Sequence, residues 1–550
     1  MDKLMDTFML TQNIKSLIDD LKAILSQYGL GNSPEEYKII TQVFLYKFLN
    51  DKFLHDVRKA IPKYQDLSVV ELERQLSGLP EKKYKKDVLL VLGPDTAKLK
   101  PTHFISYLFA NKDKEDFHTL FDKTLKDIAD FNSDIFAVQT GEETRIKLFD
   151  DHLSRYVLEE GKRDTFCKGL IDKIQTFSML DVFDQKYDFF ADIFEYLIHD
   201  YNKDSGKYAE YYTPRSIASI IATILAPNGD KNVTVYDPAA GSGTLILALA
   251  HQIGEKNCTI YTQDISQKSN EFMRLNLILN NLVHSLPNVI HDDTLLYPHH
   301  KDKATGKLRK FDYIVSNPPF NVDFSGTRDT LAGDNYKNRF WAGVPNIPPK
   351  KKDSMDIYLM FLQHIIFSLN EKGKAAVVVK TGFLTDQNRI PVKIRQTIVD
   401  NNWLKGVVSM PKNLFANTPT NVSVIFIDKT KTDDKCILID ASKLGEKKKE
   451  NKKQRTVLRD NEVQKIINTF IHQETVEDFS VIVTTEQIKG KNCSFSAGQY
   501  FKVKIEYVEL TENEFNEKIN GYKERLKKLF KEGSALEEDI KKQMERLKYE

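Results

Sequence analysis

The sequence predicts an α/β protein with a mostly parallel sheet, a helical N-terminal region and a helical C-terminal tail. Three observations support this fold class. From residue 233 onward, short apolar β segments alternate with helical patterns, which is typical of a sheet covered on both faces. The first 200 residues show helical periodicity and few strand-like runs. Residues 510–550 are charged and again have helical spacing.

Length and composition exclude several classes of protein. The 550 residues suggest three or four domains, and 41% hydrophobic with 29% charged residues indicates a globular, soluble chain. No apolar run is long enough for a spanning helix, and the first six residues do not resemble a signal peptide. Four scattered cysteines predict neither disulfides nor a zinc site and favour a reducing cytoplasm. A net charge of +2 permits local basic patches but does not indicate a nucleic-acid partner.

The predicted elements follow in chain order. Residues 29–34 (GLGNSP) end one helix and start the next. The predicted N-terminal helices cover 10–25, 37–53, 66–76, 102–108, 117–135, 171–180 and 189–201. Predicted strands cover 233–237, 258–263, 289–291, 311–316, 375–379, 404–409, 422–428 and 436–440, with helices at 244–250, 268–282, 357–369 and 392–401. Short loops between the last strands predict an antiparallel edge.

A glycine turn marks the first candidate site. Asp237-Pro-Ala-Ala-Gly-Ser-Gly-Thr244 joins a predicted strand to a helix, where open α/β sheets bind ligands. A dinucleotide fingerprint needs a third glycine where Ile246 stands, so that cofactor is disfavoured. Asp264 ends the next strand, where an acid either accepts hydrogen bonds from ribose hydroxyls or caps the following helix. Asp293 follows the third strand and can bind an adenine amino group.

The second candidate site is Asn317-Pro318-Pro319-Phe320, directly after the predicted strand 311–316. Two prolines cannot continue a ladder and fix an extended turn. The Asn317 carboxamide and the Pro318 carbonyl can therefore converge on an exocyclic amine, with the aromatic ring as a stacking surface for its base. The alternative is an ordinary turn.

Two polar segments lie outside these motifs. Residues 320–353 are rich in Gly, Pro and Lys, which predicts a long structureless loop of the kind that is usually functional. Residues 443–455 (KLGEKKKENKKQR) hold seven Lys or Arg against two Glu. Either a solvated linker or a phosphate-contacting patch fits that composition.

Together, Tyr211-Tyr212-Thr213-Pro214-Arg215 and the two turns resemble the amino-methyltransferases of DNA that use S-adenosylmethionine. More narrowly, the chain is similar to the modification subunit of bacterial type I restriction–modification systems, with the gamma order of motifs. The resemblance implies an adenine-specific DNA methyltransferase acting on N6 and a seven-stranded Rossmann-like S-adenosylmethionine-dependent methyltransferase sheet. It also implies a helical N-terminal domain (1–200), a catalytic domain (201–505) and a helical tail for subunit docking (506–550).

The resemblance further implies residue roles. A target adenine flipped out of the duplex is held by Asn317, Pro318, Pro319 and Phe320 for direct methyl transfer. The implied cofactor-binding residues are Glu210, Tyr211, Tyr212, Thr213, Pro214, Arg215, Asp237, Gly241, Ser242, Gly243, Thr244, Asp264 and Asp293. Of these, 211–215 border the methionine end, Asp264 takes the ribose and Asp293 the adenine. Relatives usually carry Gln where Glu210 stands and often Glu at the position of Asp264.

The implied partners are double-stranded DNA, a specificity subunit, a restriction subunit and a second copy of the chain, in the bacterial cytoplasm and away from membranes. No metal is expected, because a sulfonium methyl group is already activated and His299-His300 lack ligand spacing. The segment 320–353 is expected to close over DNA. Two alternatives stay open: a methyltransferase of protein glutamine, which shares Asn-Pro-Pro before an aromatic residue, and a non-catalytic scaffold.

The tail has two apolar stripes flanked by charges. They consist of Ile519, Tyr522, Leu526 and Leu529, and of Leu536, Ile540, Met544 and Leu547, separated by Gly533-Ser534. Such narrow stripes favour pairing with helices of another subunit, and folding back onto the chain's own sheet is the alternative.

Overall fold

The computed structural model describes residues 2–93, 96–136, 138–139, 145–146, 148–180, 183, 196, 213–415, 421–450, 453–501 and 511–545. Residues 1–500 form one compact unit and residues 501–550 a second. Glu210, Tyr211, Tyr212, Leu547 and nearly all of the predicted helix 189–201 lie outside the described residues. Within the described ranges, no helix is both long and apolar enough to cross a membrane.

Where the structure describes the N-terminal region, its regular elements are helices apart from one short pair of strands. Its helices are α1 (Asp2–Gln27), α2 (Pro34–Ala60), α3 (Val69–Ser77), α4 (Glu81–Tyr84), α5 (Ile105–Ala110), α6 (Phe117–Phe131), α7 (Ser133–Phe136) and α8 (Arg163–Gln175). The Ser33 hydroxyl caps α2 by accepting a hydrogen bond from the Glu36 amide. The predicted helix 171–180 starts too late, because buried Phe166 and Cys167 extend its apolar face upstream. The two-residue strands β1 (Val138–Gln139) and β2 (Arg145–Ile146) pair, so this region is not purely helical.

In the described parts of the chain, eleven further strands follow β2. They are β3 (Val233–Asp237), β4 (Cys258–Asp264), β5 (Val289–His291), β6 (Phe311–Ser316), β7 (Leu369–Lys380), β8 (Leu404–Ser409), β9 (Val422–Asp428), β10 (Lys435–Asp440), β11 (Glu446–Glu450), β12 (Lys453–Val457) and β13 (Ser480–Thr484). Nine of them form the central sheet in the order β13-β10-β8-β9-β7-β6-β3-β4-β5. The predicted seven strands are therefore too few, since β10 and β13 extend the sheet beyond β8.

The antiparallel strands also lie elsewhere than predicted. β9 is antiparallel to both β7 and β8 and lies between them, while β10 runs parallel to β8. Six of the seven β9 residues are buried, as expected for a strand inside a sheet. The short loops on which the prediction rested do not indicate whether a strand lies inside the sheet or at its edge. The antiparallel edge strand is β13, which follows a helix and was not predicted.

Helices surround the sheet within the first unit. They are α9 (Arg215–Leu225), α10 (Thr244–Ile253), α11 (Gln267–Leu279), α12 (Arg328–Leu331), α13 (Tyr358–Ser368), α14 (Arg389–Asp400), α15 (Asp460–His472) and α16 (Thr485–Gly490). α2 packs on α11, where the Tyr37 and Phe272 rings meet edge to face at a centroid distance of 4.8 Å. One hydrophobic core thus joins the N-terminal helices to the sheet.

Three polar segments are more ordered than predicted. Residues 320–353 are not a structureless loop, because Phe324, Leu331 and Phe340 are buried in an apolar cluster with residues of α13. The described residues of the 443–455 segment include β11, which pairs antiparallel with β12. The tail is one helix, α17 (Glu512–Glu545), which continues through Gly533 without a break.

Candidate active site

Parallel strands place the predicted site residues at one edge of the sheet. β5, β4, β3 and β6 are neighbours and run in the same direction, so their carboxyl ends meet there. Asp237 and Asp264 are the last residues of β3 and β4. Asp293 and Asn317 follow the ends of β5 and β6. This edge is where open α/β sheets bind ligands.

The glycine turn after β3 is held tightly. Gly243 has a φ of +89° and precedes α10, and its amide donates to the Ala240 carbonyl at 2.8 Å. A side chain at this glycine would overlap the Met273 sulfur of α11. Asn276, also on α11, donates through Nδ2 to the Ser242 carbonyl at 2.8 Å. Two contacts from α11 therefore fix the path of the turn.

Asp237 connects the glycine turn to the end of β6. Its Oδ1 accepts hydrogen bonds from the Ala239 amide at 3.0 Å and from the Ser316 hydroxyl at 2.8 Å. The side chain is buried, and this burial raises its pKa to about 7 against the two hydrogen bonds that oppose it. The carboxyl group thus ties the end of β3 to the end of β6, the two strands that carry the motifs.

Asp264 is held by two backbone amides but does not cap α11, because the cap is Ser266, whose hydroxyl accepts the Ser269 amide. The Asp264 Oδ2 accepts the Gly241 amide at 2.9 Å, and its Oδ1 accepts the Ser266 amide at 2.8 Å, just before α11. Burial raises the pKa of this carboxyl group. Asp293 is held similarly, since its Oδ1 accepts the amides of Leu295 and Leu296 at 2.8 and 3.1 Å. Both carboxyl groups are therefore fixed in orientation.

A cavity of about 960 Å³ lies in front of these carboxylates. Its walls include four of the predicted residues, namely Gly241, Asp264, Asp293 and Pro319. The volume is in the upper part of the range of about 300–1,000 Å³ that small-molecule sites occupy. The structure thus brings the glycine turn, both strand-end acids and the Asn-Pro-Pro-Phe turn to one cavity.

Asn317 lies beside this cavity, in a small cleft shared with Thr213, Ser242 and Thr244. The Asn317 Nδ2 donates to the hydroxyl of buried Thr213 at 3.1 Å. This bond orients the amide and leaves its oxygen as an acceptor. It also links Thr213, which precedes the cap residue Pro214 and the first residue of α9, Arg215, to the second turn.

The Phe320 ring is half-buried and meets Tyr358 edge to face, with centroids 6.1 Å apart. Tyr358 in turn stands edge-on to Phe383. These aromatic contacts hold Phe320 in place, so a planar group bound at Asn317 would have a fixed ring nearby.

Sequence reasoning missed several residues of the cavity wall. Ile265 is 70% exposed at its rim, and Phe324 is buried behind it. An apolar residue directly after a strand-end acid is the signal that could have revealed Ile265. Tyr37 and Lys38 of α2 also line the cavity. They lie far before the other motifs in the chain, so no local pattern indicated them.

His299 and His300 make structural contacts. His299 Nε2 lies 2.5 Å from the Asp292 carboxylate, and His300 Nε2 lies 3.0 Å from the Thr262 carbonyl. Burial lowers the pKa of His300 to about 4. In the described part of the chain, no three His, Cys, Asp or Glu side chains are grouped as metal ligands would be.

Comparison with known proteins places the chain in a family. Residues 185–508, more than half of the chain, match the N-6 DNA methylase family. The chain belongs to this family. The prediction of an adenine-specific DNA methyltransferase is thereby confirmed, and it outweighs the protein-glutamine alternative.

Individual relatives agree with this assignment. The chain is 27% identical over 447 residues to the type I restriction enzyme MpnII methylase subunit of Mycoplasma pneumoniae, covering 78% of this chain and 79% of the relative. It is 29% identical over 384 residues to the HindI methylase subunit of Haemophilus influenzae, covering 66% and 79%. The fold resembles the crystal structure of a type I methyltransferase subunit from Streptococcus thermophilus, with a TM-score of 0.69 and 22% identity over 90% of this chain and 100% of that one. The predicted resemblance to type I methyltransferase subunits is confirmed.

Proposed function

We propose that this chain transfers a methyl group from S-adenosylmethionine to the N6 amine of an adenine in DNA, as the modification subunit of a type I restriction–modification complex. The observation that carries this proposal is the oriented Asn317 amide beside the cavity of Asp264 and Asp293. An acceptor for an amine and a site for a nucleoside-like cofactor are thereby adjacent.

The residues of the cavity fit S-adenosylmethionine. Asp264 is held so that its carboxylate can accept from ribose hydroxyls, and Asp293 can accept from an adenine amine. Ile265 offers an exposed apolar face for the adenine ring. Gly243 keeps the backbone of the turn close, because nothing larger fits there. The cofactor supplies a methyl group that is already activated by its sulfonium.

The target side follows from the second turn. The Asn317 oxygen and the Pro318 carbonyl accept hydrogen bonds from the two N–H groups of the adenine amine. These bonds make the amine nitrogen more nucleophilic. Phe320 packs on the base. The new N–C bond forms as the C–S bond breaks, and the surplus proton leaves for water. An adenine in a duplex cannot reach this recessed amide, so it must flip out of the stack.

The partners in the proposal are duplex DNA, a specificity subunit, a restriction subunit and a second copy of the chain, in the bacterial cytoplasm. We assign docking to the tail within the 506–550 region, after an N-terminal domain (1–200) and the catalytic domain (201–505). Apart from half-buried Ile519, every large apolar residue of α17 that the structure describes is more than half exposed, including Leu526 and Ile540. An exposed apolar stripe on a Lys/Glu-rich helix fits another helix.

Asn317→Ala tests the central residue. Methyl transfer should fall by at least about 10²–10³-fold, as when one preorganised hydrogen-bonding group is removed, while S-adenosylmethionine affinity stays nearly unchanged. The complex is assayed for transfer to DNA, and calorimetry measures cofactor binding to the full chain. Asn401→Ala is the matched control, because this exposed amide donates to the Thr397 carbonyl of its own helix α14.

Two outcomes would contradict the assignment. Transfer at the wild-type rate would show that the amide does not hold the target. Loss of cofactor binding together with activity would place Asn317 on the cofactor instead of the base.

A further inference from the structure

A second cavity, of about 560 Å³, lies close to the end of β7. Its wall is formed mainly by residues from the segments 342–348, 354–359 and 386–391. The volume is within the range of about 300–1,000 Å³ that is typical of small-molecule sites. None of the residues assigned above to the cofactor or to the target base lines this cavity, so it is distinct from the site already described.

Contacts of the Asn-Pro-Pro-Phe turn tie it to the wall of the second cavity. Asn321 directly follows the turn, and its Nδ2 donates to the carbonyl of Ser354, a wall residue, at 2.7 Å. The Phe320 ring centroid is 6.1 Å from that of Tyr358, and the next residue, Leu359, lines the cavity. The turn and the cavity are therefore separated by little more than the Tyr358 side chain.

The strand order places the second cavity away from the cofactor carboxylates. β7 is parallel to β6 and lies beside it, on the side opposite to β3. Asp264 and Asp293 follow β4 and β5, beyond β3. One strand spacing of about 4.8 Å separates β7 from β6, and successive nucleotides of a DNA strand rise by about 3.4 Å. The part of the substrate nearest to the second cavity is thus a nucleotide next to the base at Asn317.

The wall of the second cavity combines apolar surface with available polar groups. Pro345 and Pro391 supply apolar surface. Within the described part of the chain, the exposed side chains of Asn346, Asn388 and Arg389 make no hydrogen bond or ion pair. Apolar surface can pack on a base, amides can bond to its edge, and a guanidinium group can bind a phosphate. A nucleotide presents all three of these features in one ligand.

The two aspartates that line the second cavity are already engaged. The Asp356 carboxylate forms an ion pair with Lys380 at 2.6 Å. The Asp386 Oδ1 accepts the Asn388 amide at 2.8 Å. Since both carboxylates have donors of their own, the Arg389 guanidinium is available to an external anion.

We propose that the second cavity binds the nucleotide next to the target adenine in the same DNA strand, with Arg389 on its phosphate. This inference rests on the proposed function and adds a subsite to it. A flipped adenine no longer stacks on its neighbour, so a site for that neighbour holds the strand while the adenine is at Asn317. The phosphate contact positions the strand, and the amides of Asn346 and Asn388 can bond to the edge of the neighbouring base.

The experiment measures DNA binding by the complex of this chain with its specificity subunit. Fluorescence anisotropy follows a labelled duplex that contains the sequence identified by footprinting of the complex. Arg389→Ala should weaken binding roughly tenfold and flatten the slope of log affinity against log salt by about 0.9, as expected for one lost phosphate contact. Arg389→Lys should keep the wild-type slope, because the charge is retained.

Methylphosphonates, which are uncharged, then locate the phosphate. They replace one phosphate at a time in the strand that carries the target adenine. With the wild-type chain, replacement beside the target adenine should weaken binding by about the same factor as Arg389→Ala. With Arg389→Ala, the same replacement should have no further effect, because the contact is already lost.

Arg155→Ala is the matched control, because Arg155 is an exposed arginine of the N-terminal region that lines neither cavity. Its affinity and its slope should equal those of the wild type. A wild-type slope in Arg389→Ala, an equal loss in the control, or a methylphosphonate effect that persists in Arg389→Ala would overturn the proposal for the second cavity.

Cofactor binding and methyl transfer by the same complexes separate this proposal from the proposed function. All variants should bind S-adenosylmethionine as the wild type does, which also shows that they are folded. Adenine methylation by the wild type, with equal methylphosphonate effects in the wild type and Arg389→Ala, would overturn the second cavity alone. A methylphosphonate effect that depends on Arg389, in a complex that methylates no adenine, would refute the proposed function and leave nucleotide binding by the second cavity standing.

Discussion

Gly243→Ala should destabilise the glycine turn through two separate effects. The backbone φ of +89° is left-handed, which costs an L-residue about 1–2 kcal/mol. The added methyl group also overlaps the sulfur of Met273, a residue that is only 1% exposed, and such overpacking costs about 1–3 kcal/mol. The free energy of unfolding should therefore fall by about 2–5 kcal/mol.

Two further variants separate these effects. Gly306 also has a left-handed φ, of +66°, but open space where a methyl group would lie, so Gly306→Ala should show the backbone cost alone. Adding Met273→Ala to Gly243→Ala removes the overlapping atom. The double variant should then be more stable than the sum of the two single effects.

Urea unfolding followed by circular dichroism measures these stabilities, and calorimetry measures S-adenosylmethionine affinity. Gly243→Ala should also weaken the cofactor, because the displaced turn carries the Gly241 amide that holds Asp264. The reasoning is refuted if Gly243→Ala lowers the free energy of unfolding no more than Gly306→Ala does. It is also refuted if the double variant with Met273→Ala is no more stable than the sum of the two single effects.

Three more predictions concern the site and the tail. Because burial lifts the pKa of Asp237 from 3.8 to about 7, the folded chain keeps a proton that the unfolded chain loses. The free energy of unfolding should therefore fall by up to about 1.4 kcal/mol per pH unit as the pH rises from about 4 to about 7. Urea unfolding of Asp237→Asn should lack this trend. Equal trends in both chains would show that another group carries the proton. Asp264→Ala should weaken S-adenosylmethionine by roughly tenfold to a hundredfold in calorimetry, through loss of a charge-assisted acceptor, and an unchanged dissociation constant would move the ribose to another residue. A chain ending at Tyr507 should still bind S-adenosylmethionine but no longer co-purify with the specificity subunit, and normal assembly and methylation by that chain would show that the tail is not the dock.

The sequence predicted the parts of the fold that local patterns determine. Each parallel strand near the site is an apolar run, such as β6, followed at once by its polar or glycine-rich turn. Since carboxyl ends of parallel strands share an edge, Asp264, Asp293 and Asn317 could be expected to converge. The cavity that joins Asp264 and Asp293 agrees with this expectation.

What sequence reasoning missed depends on contacts between distant segments. β9 has the composition of any apolar strand, and only its pairing with β7 and β8 places it inside the sheet. The 443–455 run has the composition of a solvated loop. Its many lysines hide the alternation that is typical of a strand, so the pairing of β11 with β12 was not predicted. Lys38 reaches the cavity through the packing of α2 on α11, which no nearby residue indicates.

The central claim is that the Asn317 site methylates adenine at N6. Its most direct test is mass spectrometry of nucleosides from the DNA of cells that express this chain with its specificity subunit. N6-methyladenine should accumulate with the wild-type chain and at least about 10²–10³-fold more slowly with Asn317→Ala, although both chains bind S-adenosylmethionine. Methylated cytosine in place of adenine, or equal N6-methyladenine with both chains, would contradict the account.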